Sequence, residues 1–152
     1  MPLNDRLSNV DELRSWKDQL PLHYEYTAGL AGEKFLRGLK DGKILAAKCS
    51  NCGKAYLPPK VYCVDCYVAI EDFVEVGPRG RVAALATSSV GFDGRELEEK
   101  KTFAFVAFKG VEGGLVHLAG GRGLRIGAQV KPRFRAKDKR KGALSDIEEF
   151  VA

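Results

Sequence analysis

Apolar residues recur at helical spacing near the start of the chain. Val10, Leu13, Trp16 and Leu20 are spaced three or four residues apart, and such residues lie on one face of a helix. Pro21 ends this predicted first helix because proline cannot continue the backbone hydrogen bonding.

A second helix is predicted from about residue 27 to residue 40. Its apolar face is formed by Leu30, Phe35, Leu36 and Leu39. Asp41-Gly42 ends it, since glycine readily adopts the left-handed conformation found after helices. Contact with the core of the chain explains both stripes, and attachment to a partner protein is the alternative.

Short strands are predicted next, at Lys43–Lys48, Ala55–Leu57 and Glu71–Val76. Longer ones follow at Arg81–Val90, Thr102–Lys109, Leu115–Ala119 and Gln129–Arg135. Ser145–Val151 fits either a last strand or a short helix. Gly91–Lys101 is predicted as a charged loop, and the basic run Lys137–Lys141 as a mobile one.

The strand at 102–109 is apolar on both faces, which suits a small closed barrel flanked by another element. Together the strands predict a five-stranded OB-fold barrel, although their spacing also fits a small sandwich. The predicted fold is mainly β, with N-terminal helices and a ribbon before the barrel. We expect helices in residues 1–42, the ribbon in 43–70 and the barrel in 71–152.

The four cysteines form two C-x-x-C pairs, Cys49/Cys52 and Cys63/Cys66, with ten residues between the pairs. Each pair turns its two sulfurs toward one point, and two such knuckles complete a tetrahedron around a metal. Zinc is the favoured ion, and iron is chemically possible in the same thiolate set. Four sulfurs close the coordination sphere, so the site is predicted to be structural rather than catalytic.

The residues around the cysteines resemble a known family. The run from Gly38 to Ile44-Leu45, the two knuckles and Leu57-Pro58-Pro59 are similar to acyl-CoA-associated proteins with a rubredoxin-like zinc ribbon and an OB-fold, long labelled a domain of unknown function. Gly80-Arg81-Val82 and Ile126-Gly127-x-x-Val130 resemble barrel positions of that family. The resemblance covers residues 24–135.

The resemblance implies a non-catalytic partner of thiolases or, in archaea, of hydroxymethylglutaryl-CoA synthase. Such a partner helps to hold the assembly together, and a contact with the CoA part of the substrate is compatible with this role. Arg81, Lys131, Arg133 and Arg135 are the candidates for binding the CoA phosphates, because arginine suits bidentate phosphate contacts. A solvated barrel face explains the same residues without a ligand.

Three aromatic side chains are candidate anchors for a partner protein. Trp16, Tyr24 and Phe35 lie in or beside the predicted helices, and aromatic residues frequently dominate the energy of interfaces.

Charge keeps a second class of function open. The chain has a net charge of +5, and residues 122–141 hold nine basic residues against the single acid Asp138. A single-stranded nucleic-acid-binding module is therefore the alternative, with Phe92 and Phe134 as the possible stacking platforms.

The sequence offers no recognisable catalytic set. There is no G-x-S-x-G or H-E-x-x-H motif, and His117 lies in an apolar strand where a satisfied barrel residue is the simpler interpretation. No run approaches the ~20 apolar residues that span a membrane, and the N-terminus carries acids where a signal peptide would be apolar. We expect a non-enzymatic, cytoplasmic protein.

Overall fold

The computed structural model describes residues 26–91 and 94–152. The predicted first helix, Trp16, Tyr24 and Phe92 lie outside the described residues.

Helix α1 (Gly29–Lys40) corresponds to the second predicted helix and begins two residues later than expected. Ala31, Phe35 and Leu39 follow one another at four-residue spacing and are buried. Gly38 lies on this face, and a Cβ there would come within 2.8 Å of the Leu45 side chain. The helix can therefore pack closely against the strand that follows it.

Three short strands form the ribbon, namely β1 (Leu45–Lys48), β2 (Ala55–Leu57) and β3 (Asp72–Glu75). β1 lies in the middle and pairs antiparallel with both of the others. β3 lies beyond the predicted boundary at residues 70/71 and still pairs with the ribbon. The division of the chain into three units itself stays a prediction.

Five further strands form the barrel, in the cyclic order β4–β5–β6–β8–β7–β4. They are β4 (Gly80–Val90), β5 (Glu96–Ala107), β6 (Glu112–Gly120), β7 (Gln129–Phe134) and β8 (Ile147–Val151). All neighbours are antiparallel except β6 and β8, which are parallel. The strands close on themselves, so the prediction of a five-stranded barrel is confirmed and the sandwich is excluded.

The predicted loop Gly91–Lys101 is wrong over its second half, because β5 already begins at Glu96. Val90 pairs with Glu96 and Ser88 pairs with Lys101. The charged side chains of this segment are mostly exposed, since the hairpin extends beyond the part of the barrel that encloses the core. Backbone pairing with β4 does not require an apolar face, so the sequence here shows no apolar alternation.

The second half of β5, from Thr102, and Phe108 directly after it are apolar on both faces, as predicted. Ala104, Val106 and Phe108 are buried inside the barrel, whereas Phe103 and Phe105 are half-buried on its outer face.

The segment Ser145–Val151, predicted as either a last strand or a short helix, contains a helical turn and a strand. A 3-10 turn at Leu144–Asp146 leads directly into β8. The basic run predicted as a mobile loop contains a second 3-10 turn, Lys137–Lys139. Arg140 attaches this run to the barrel, since its Nε donates to the Arg135 carbonyl at 2.7 Å.

The ribbon and the barrel share one sheet edge. β2 pairs in parallel with β6, with Leu57 opposite Gly113. The main core is continuous across this junction and includes Phe35, Ile44 and Leu57 together with barrel residues such as Val106. A second, smaller cluster surrounds the cysteines.

Candidate metal centre and basic groove

The two C-x-x-C knuckles have matching backbone hydrogen bonds. In the first, Cys49 N–H donates to the Lys54 carbonyl at 2.8 Å and Gly53 N–H donates to the Cys49 carbonyl at 2.9 Å. In the second, Cys63 N–H donates to Val68 at 2.9 Å and Tyr67 N–H donates to Cys63 at 3.0 Å. Each turn therefore presents its two cysteines in the same way.

The four sulfurs converge on one point. The Sγ atoms of Cys49, Cys52, Cys63 and Cys66 all lie within 4.8 Å of one another, and those of Cys52 and Cys63 are 3.7 Å apart. Metal–sulfur bonds of about 2.3 Å in a tetrahedron place sulfurs about 3.8 Å apart. The arrangement therefore fits a tetrahedral thiolate-bound metal.

The centre is closed on one side and open to solvent on the other. Cys49 and Cys63 are buried, Cys66 is half-buried and Cys52 is exposed. Four protein sulfurs complete a four-coordinate site and leave no position for a reacting water. Such a closed set of four sulfurs is typical of structural metal sites.

A chain of three polar side chains leads to the Cys63 sulfur. The Tyr56 hydroxyl lies 3.2 Å from Cys63 Sγ and 2.7 Å from Asp65 Oδ2, and Lys54 Nζ lies 3.1 Å from the same carboxylate oxygen. The hydrogen bond from Tyr56 lowers the pKa of Cys63 to about 6. The pKa of Asp65 is also lowered, first by the hydrogen bond that Asp65 accepts from Tyr56 and then by its contact with Lys54.

The pKa values of Tyr56 and Cys52 shift in the opposite direction, upward. The hydrogen bond with Cys63 and then burial raise the pKa of Tyr56. The backbone N–H of Lys54 acts to lower the pKa of Cys52, but burial and hydrogen bonds with the neighbouring thiols outweigh it and raise that pKa to about 12. In the metal-free protein, the Cys63 thiol therefore ionises more readily than the Cys52 thiol.

A second feature, which we call the basic groove, lies on the barrel where β4, β5 and β7 meet. It consists of two adjoining hollows of about 310 and 300 Å³ that share Arg79 and Gln129. Its cationic lining is Arg79, Arg81, Lys109 and Lys131, and its described lining includes no Asp or Glu.

The four predicted CoA-binding residues do not all lie in this groove. Arg81 and Lys131 line it. Arg133 is paired instead with Glu148 at 3.1 Å and Glu149 at 2.7 Å. Arg135 is exposed beyond the last residue of β7 and is not among the lining residues.

The predicted docking aromatics are only partly described. Trp16 and Tyr24 lie outside the described residues. Phe35 is 6% exposed and packs in the main core, so its ring offers little area to a partner.

His117 is half-buried and directed toward the core. Its Nε2 lies 3.2 Å from the Leu144 carbonyl, and its ring meets the Phe150 ring edge-on at a centroid distance of 6.2 Å. Its Nδ1 is buried, with no hydrogen-bond partner in the described part of the chain. His117 therefore packs in the barrel as expected, but only one of its two ring nitrogens is satisfied by the described residues.

Sequence reasoning missed several residues of these two features. Arg79 and Lys109 come from the turns before β4 and after β5, and only folding brings them beside Arg81. Tyr56 and Asp65 could have been found from the sequence. Tyr56 lies between the two knuckles and Asp65 lies within the second, and both carry polar atoms that can reach the sulfurs.

None of the helices in residues 26–91 and 94–152 has both the length and the apolar character needed to span a bilayer.

Residues 37–71 match the family described as ChsH2, rubredoxin-like zinc ribbon domain. A protein of unknown function of the DUF35 family from Sulfolobus solfataricus is 32% identical; the match covers 85% of this chain and 89% of that chain, with a TM-score of 0.66. The structure of the Ltp2-ChsH2(DUF35) aldolase includes a chain that is 20% identical; that match covers 70% of this chain and 85% of the other, with a TM-score of 0.57. No curated protein matches the sequence.

The fold and the four-cysteine centre define a metal-binding, rubredoxin-like zinc ribbon joined to a five-stranded barrel. At 32% identity over most of both chains, this protein belongs to the DUF35 family.

Proposed function

We propose that this protein is a non-catalytic accessory subunit of an acyl-CoA enzyme of the thiolase or hydroxymethylglutaryl-CoA synthase type. The observation that carries the proposal is the basic groove, which presents four cations on a barrel of a DUF35-family chain. The same fold also occurs in the Ltp2-ChsH2(DUF35) aldolase. That likeness makes an acyl-transfer or aldol-type enzyme a reasonable partner.

The groove suits the phosphates of CoA. Arg79 Nη1 donates to Gln129 Oε1 at 3.4 Å, and this hydrogen bond links the two residues that both hollows share. Arg81 passes over Gly127, where a Cβ would lie 3.5 Å from its Nη2. Guanidinium groups held in this way can form paired hydrogen bonds to phosphate oxygens. In the proposed complex, the groove binds the pyrophosphate and the ribose phosphate.

A role without catalysis is supported by the positions of the reactive side chains. The four cysteines are metal ligands, and the two described carboxylates with shifted pKa values, Asp65 and Asp146, are already hydrogen-bonded. Zinc is the proposed metal, because it favours a closed tetrahedral set of four thiolates in structural sites. Metal analysis of the purified protein would test this, with about one zinc per chain expected and an iron-loaded, coloured protein as the contrary result.

The alternative, a single-stranded nucleic-acid-binding module, depends on exposed aromatic platforms. The Phe134 ring faces the Arg140 guanidinium, 5.3 Å from its centroid, and is half-buried. Phe134, the described one of the two predicted platforms, is therefore poorly placed for base stacking.

CoA binding can be measured by titration calorimetry of the metal-loaded protein with CoA, 3′-dephospho-CoA and pantetheine. We expect affinity to fall in that order and the Arg79→Ala/Arg81→Ala double variant to bind CoA at least about 10-fold more weakly, since charged hydrogen bonds each contribute ~1.5–3 kcal/mol. Arg133→Ala is the matched control, because Arg133 is already neutralised by Glu148 and Glu149. If the unmodified protein, the double variant and Arg133→Ala all bind CoA equally, the groove is not the CoA site.

The partner is tested separately. Tagged protein purified gently from its own cells should carry an acyl-CoA enzyme in near-equal amount, as identified by mass spectrometry. Recovery of nucleic-acid components that dissociate at high salt would overturn the accessory role and favour the alternative.

A further inference from the structure

Tyr56 is placed to act on the metal through one of its ligands. It is only 3% exposed and lies in the middle of β2, between the two knuckles. Its hydroxyl reaches both Cys63 Sγ, at 3.2 Å, and Asp65 Oδ2, at 2.7 Å. The ring is fixed in the small core cluster that also holds Cys49 and Cys63.

A tyrosine hydroxyl has one hydrogen to donate, and here two acceptors compete for it. When a metal is bound, Cys63 is a thiolate and Asp65 is a carboxylate. Lys54 Nζ also donates to Asp65 Oδ2, at 3.1 Å, and thereby weakens the attraction of that oxygen for the tyrosine hydrogen. The chain Lys54–Asp65–Tyr56–Cys63 therefore sets how much of the hydrogen bond reaches the sulfur.

We propose that Tyr56 is a positioning residue of the metal centre, which donates its hydroxyl hydrogen to the Cys63 thiolate under the control of Asp65 and Lys54. Hydrogen bonds to a ligating sulfur withdraw electron density from it, and residues that orient ligands in this way change metal affinity by about 10–100-fold. The ribbon thus contains a device that adjusts one of its four ligands, beyond simply enclosing the metal.

Cobalt(II) in place of the native metal gives a direct measure of electron density at sulfur. The energy of the sulfur-to-cobalt charge-transfer band rises when a thiolate accepts a hydrogen bond. We expect Tyr56→Phe to shift this band to lower energy, because the sulfur loses its donor. We expect Asp65→Ala to shift it to higher energy, because the hydroxyl then donates to sulfur alone.

The double variant separates this mechanism from a simple charge effect. If Asp65 acts through the hydroxyl, Asp65→Ala should produce no further shift once Tyr56 is phenylalanine. If Asp65 acts by its charge alone, the shift persists in the double variant, and the proposed relay is overturned. Such cycles isolate the coupling between two side chains.

Tyr62→Phe is the matched control, since Tyr62 is a tyrosine of the same ribbon that is 62% exposed; its spectrum should equal that of the unmodified protein. Zinc affinity, measured by chelator competition, should fall about 10-fold in Tyr56→Phe and stay unchanged in Tyr62→Phe. If Tyr56→Phe fails to fold, Asp65→Ala still tests the proposal. Superimposable spectra, or a shift of Asp65→Ala to lower energy, would overturn it.

Discussion

Tyr67 occupies in the second knuckle the position that Gly53 occupies in the first, and both residues have a left-handed backbone. Their φ angles are 57° and 75°, and each donates its N–H to the carbonyl of the first cysteine of its knuckle. The second turn therefore holds a bulky residue in a conformation that normally favours glycine. The Tyr67 side chain is 84% exposed, so the described fold gives it little packing in return.

Replacing Tyr67 by glycine should therefore stabilise the ribbon. The left-handed conformation costs an L-residue about 1–2 kcal/mol, and the extra freedom of glycine in the unfolded chain returns roughly 0.5–1 kcal/mol of this. We expect Tyr67→Gly to raise the free energy of unfolding by about 0.5–1 kcal/mol in urea titrations of the metal-loaded protein.

Gly53→Ala is the matched control for this change. A Cβ at Gly53 would meet no other atom within 4 Å, so the substitution tests the backbone conformation alone and should destabilise by about 1 kcal/mol. A loss of stability in Tyr67→Gly would show that the exposed ring contributes energy that the described contacts do not reveal.

Metal removal should affect the two parts of the fold unequally. The cysteines belong to the small cluster that also contains Ala47, Tyr56 and Ile70. The main core instead joins α1, strands β1 and β2 of the ribbon, and the barrel. Structural metal sites contribute much of the folding energy of small ribbons.

We therefore expect a strong chelator to unfold the knuckles and leave the barrel folded. Hydrogen exchange followed by mass spectrometry should show faster exchange over the two knuckles, residues 49–54 and 63–68, and unchanged exchange in β5 and β7. Loss of protection throughout the chain would mean that the barrel depends on the metal centre for its own stability.

The parts of the fold that the sequence predicted are those with local signals. The knuckles follow from the spacing of Cys49, Cys52, Cys63 and Cys66, and β5 follows from the alternation at residues 102–108. The first half of β5 gave no such signal, because Glu96 and its neighbours extend into solvent, where pairing with β4 does not require an apolar face.

The basic groove could be predicted only in part, for a different reason. Arg81 and Lys131 lie on strands whose alternation is visible, but Arg79 and Lys109 lie in turns that are far apart in sequence. Their proximity follows from the pairing of Arg81 with Ala107. Arg133 was expected to contact a ligand, yet the register of β7 against β8 places it opposite Glu149. Charge pairing across strands depends on register, which the sequence pattern did not determine.

Asp146 should make the stability of the barrel depend on acid pH. It is 1% exposed, and its carboxylate accepts hydrogen bonds from the backbone N–H groups of Lys141, Gly142 and Ala143 at 2.7–3.1 Å. Burial opposes ionisation, but these three donors and the charge of Arg135 outweigh it and lower the pKa of Asp146. The carboxylate therefore joins the basic run to the start of β8.

A carboxylate with a lowered pKa in the folded state stabilises the fold fully above its unfolded pKa of about 3.9. That contribution is lost as pH falls through the lower folded pKa. We expect Asp146→Asn to cost about 2 kcal/mol at pH 7, since each hydrogen bond to a charged group contributes ~1.5–3 kcal/mol and asparagine retains one acceptor oxygen.

The difference between the two proteins should shrink below about pH 4, where the Asp146 carboxylate of the unfolded chain begins to be protonated while that of the folded protein is still ionised. Urea unfolding monitored by circular dichroism from pH 7 to pH 3 measures it, and acid release of the metal affects both proteins alike. A constant difference across this range would show that the charge of Asp146 is not what matters.

Gly113 joins the ribbon to the barrel and should tolerate no side chain. It lies opposite Leu57 in the parallel pairing of β2 and β6, with a φ of 87°. A Cβ there would lie 2.2 Å from the Leu57 carbonyl oxygen, so alanine must either separate the two strands or move the backbone of β6. We expect Gly113→Ala to lower the free energy of unfolding by about 3 kcal/mol, from backbone strain together with the lost strand contact.

Gly110 provides the comparison, because its φ of 76° is similar and a Cβ there would have no atom within 4 Å. Gly110→Ala should cost only about 1 kcal/mol, the cost of the backbone conformation alone. Hydrogen exchange should locate the additional effect of Gly113→Ala in residues 55–57 and 112–114. If both variants lose the same stability in urea titrations, the ribbon and the barrel are held together by their shared core, and the pairing of β2 with β6 contributes little.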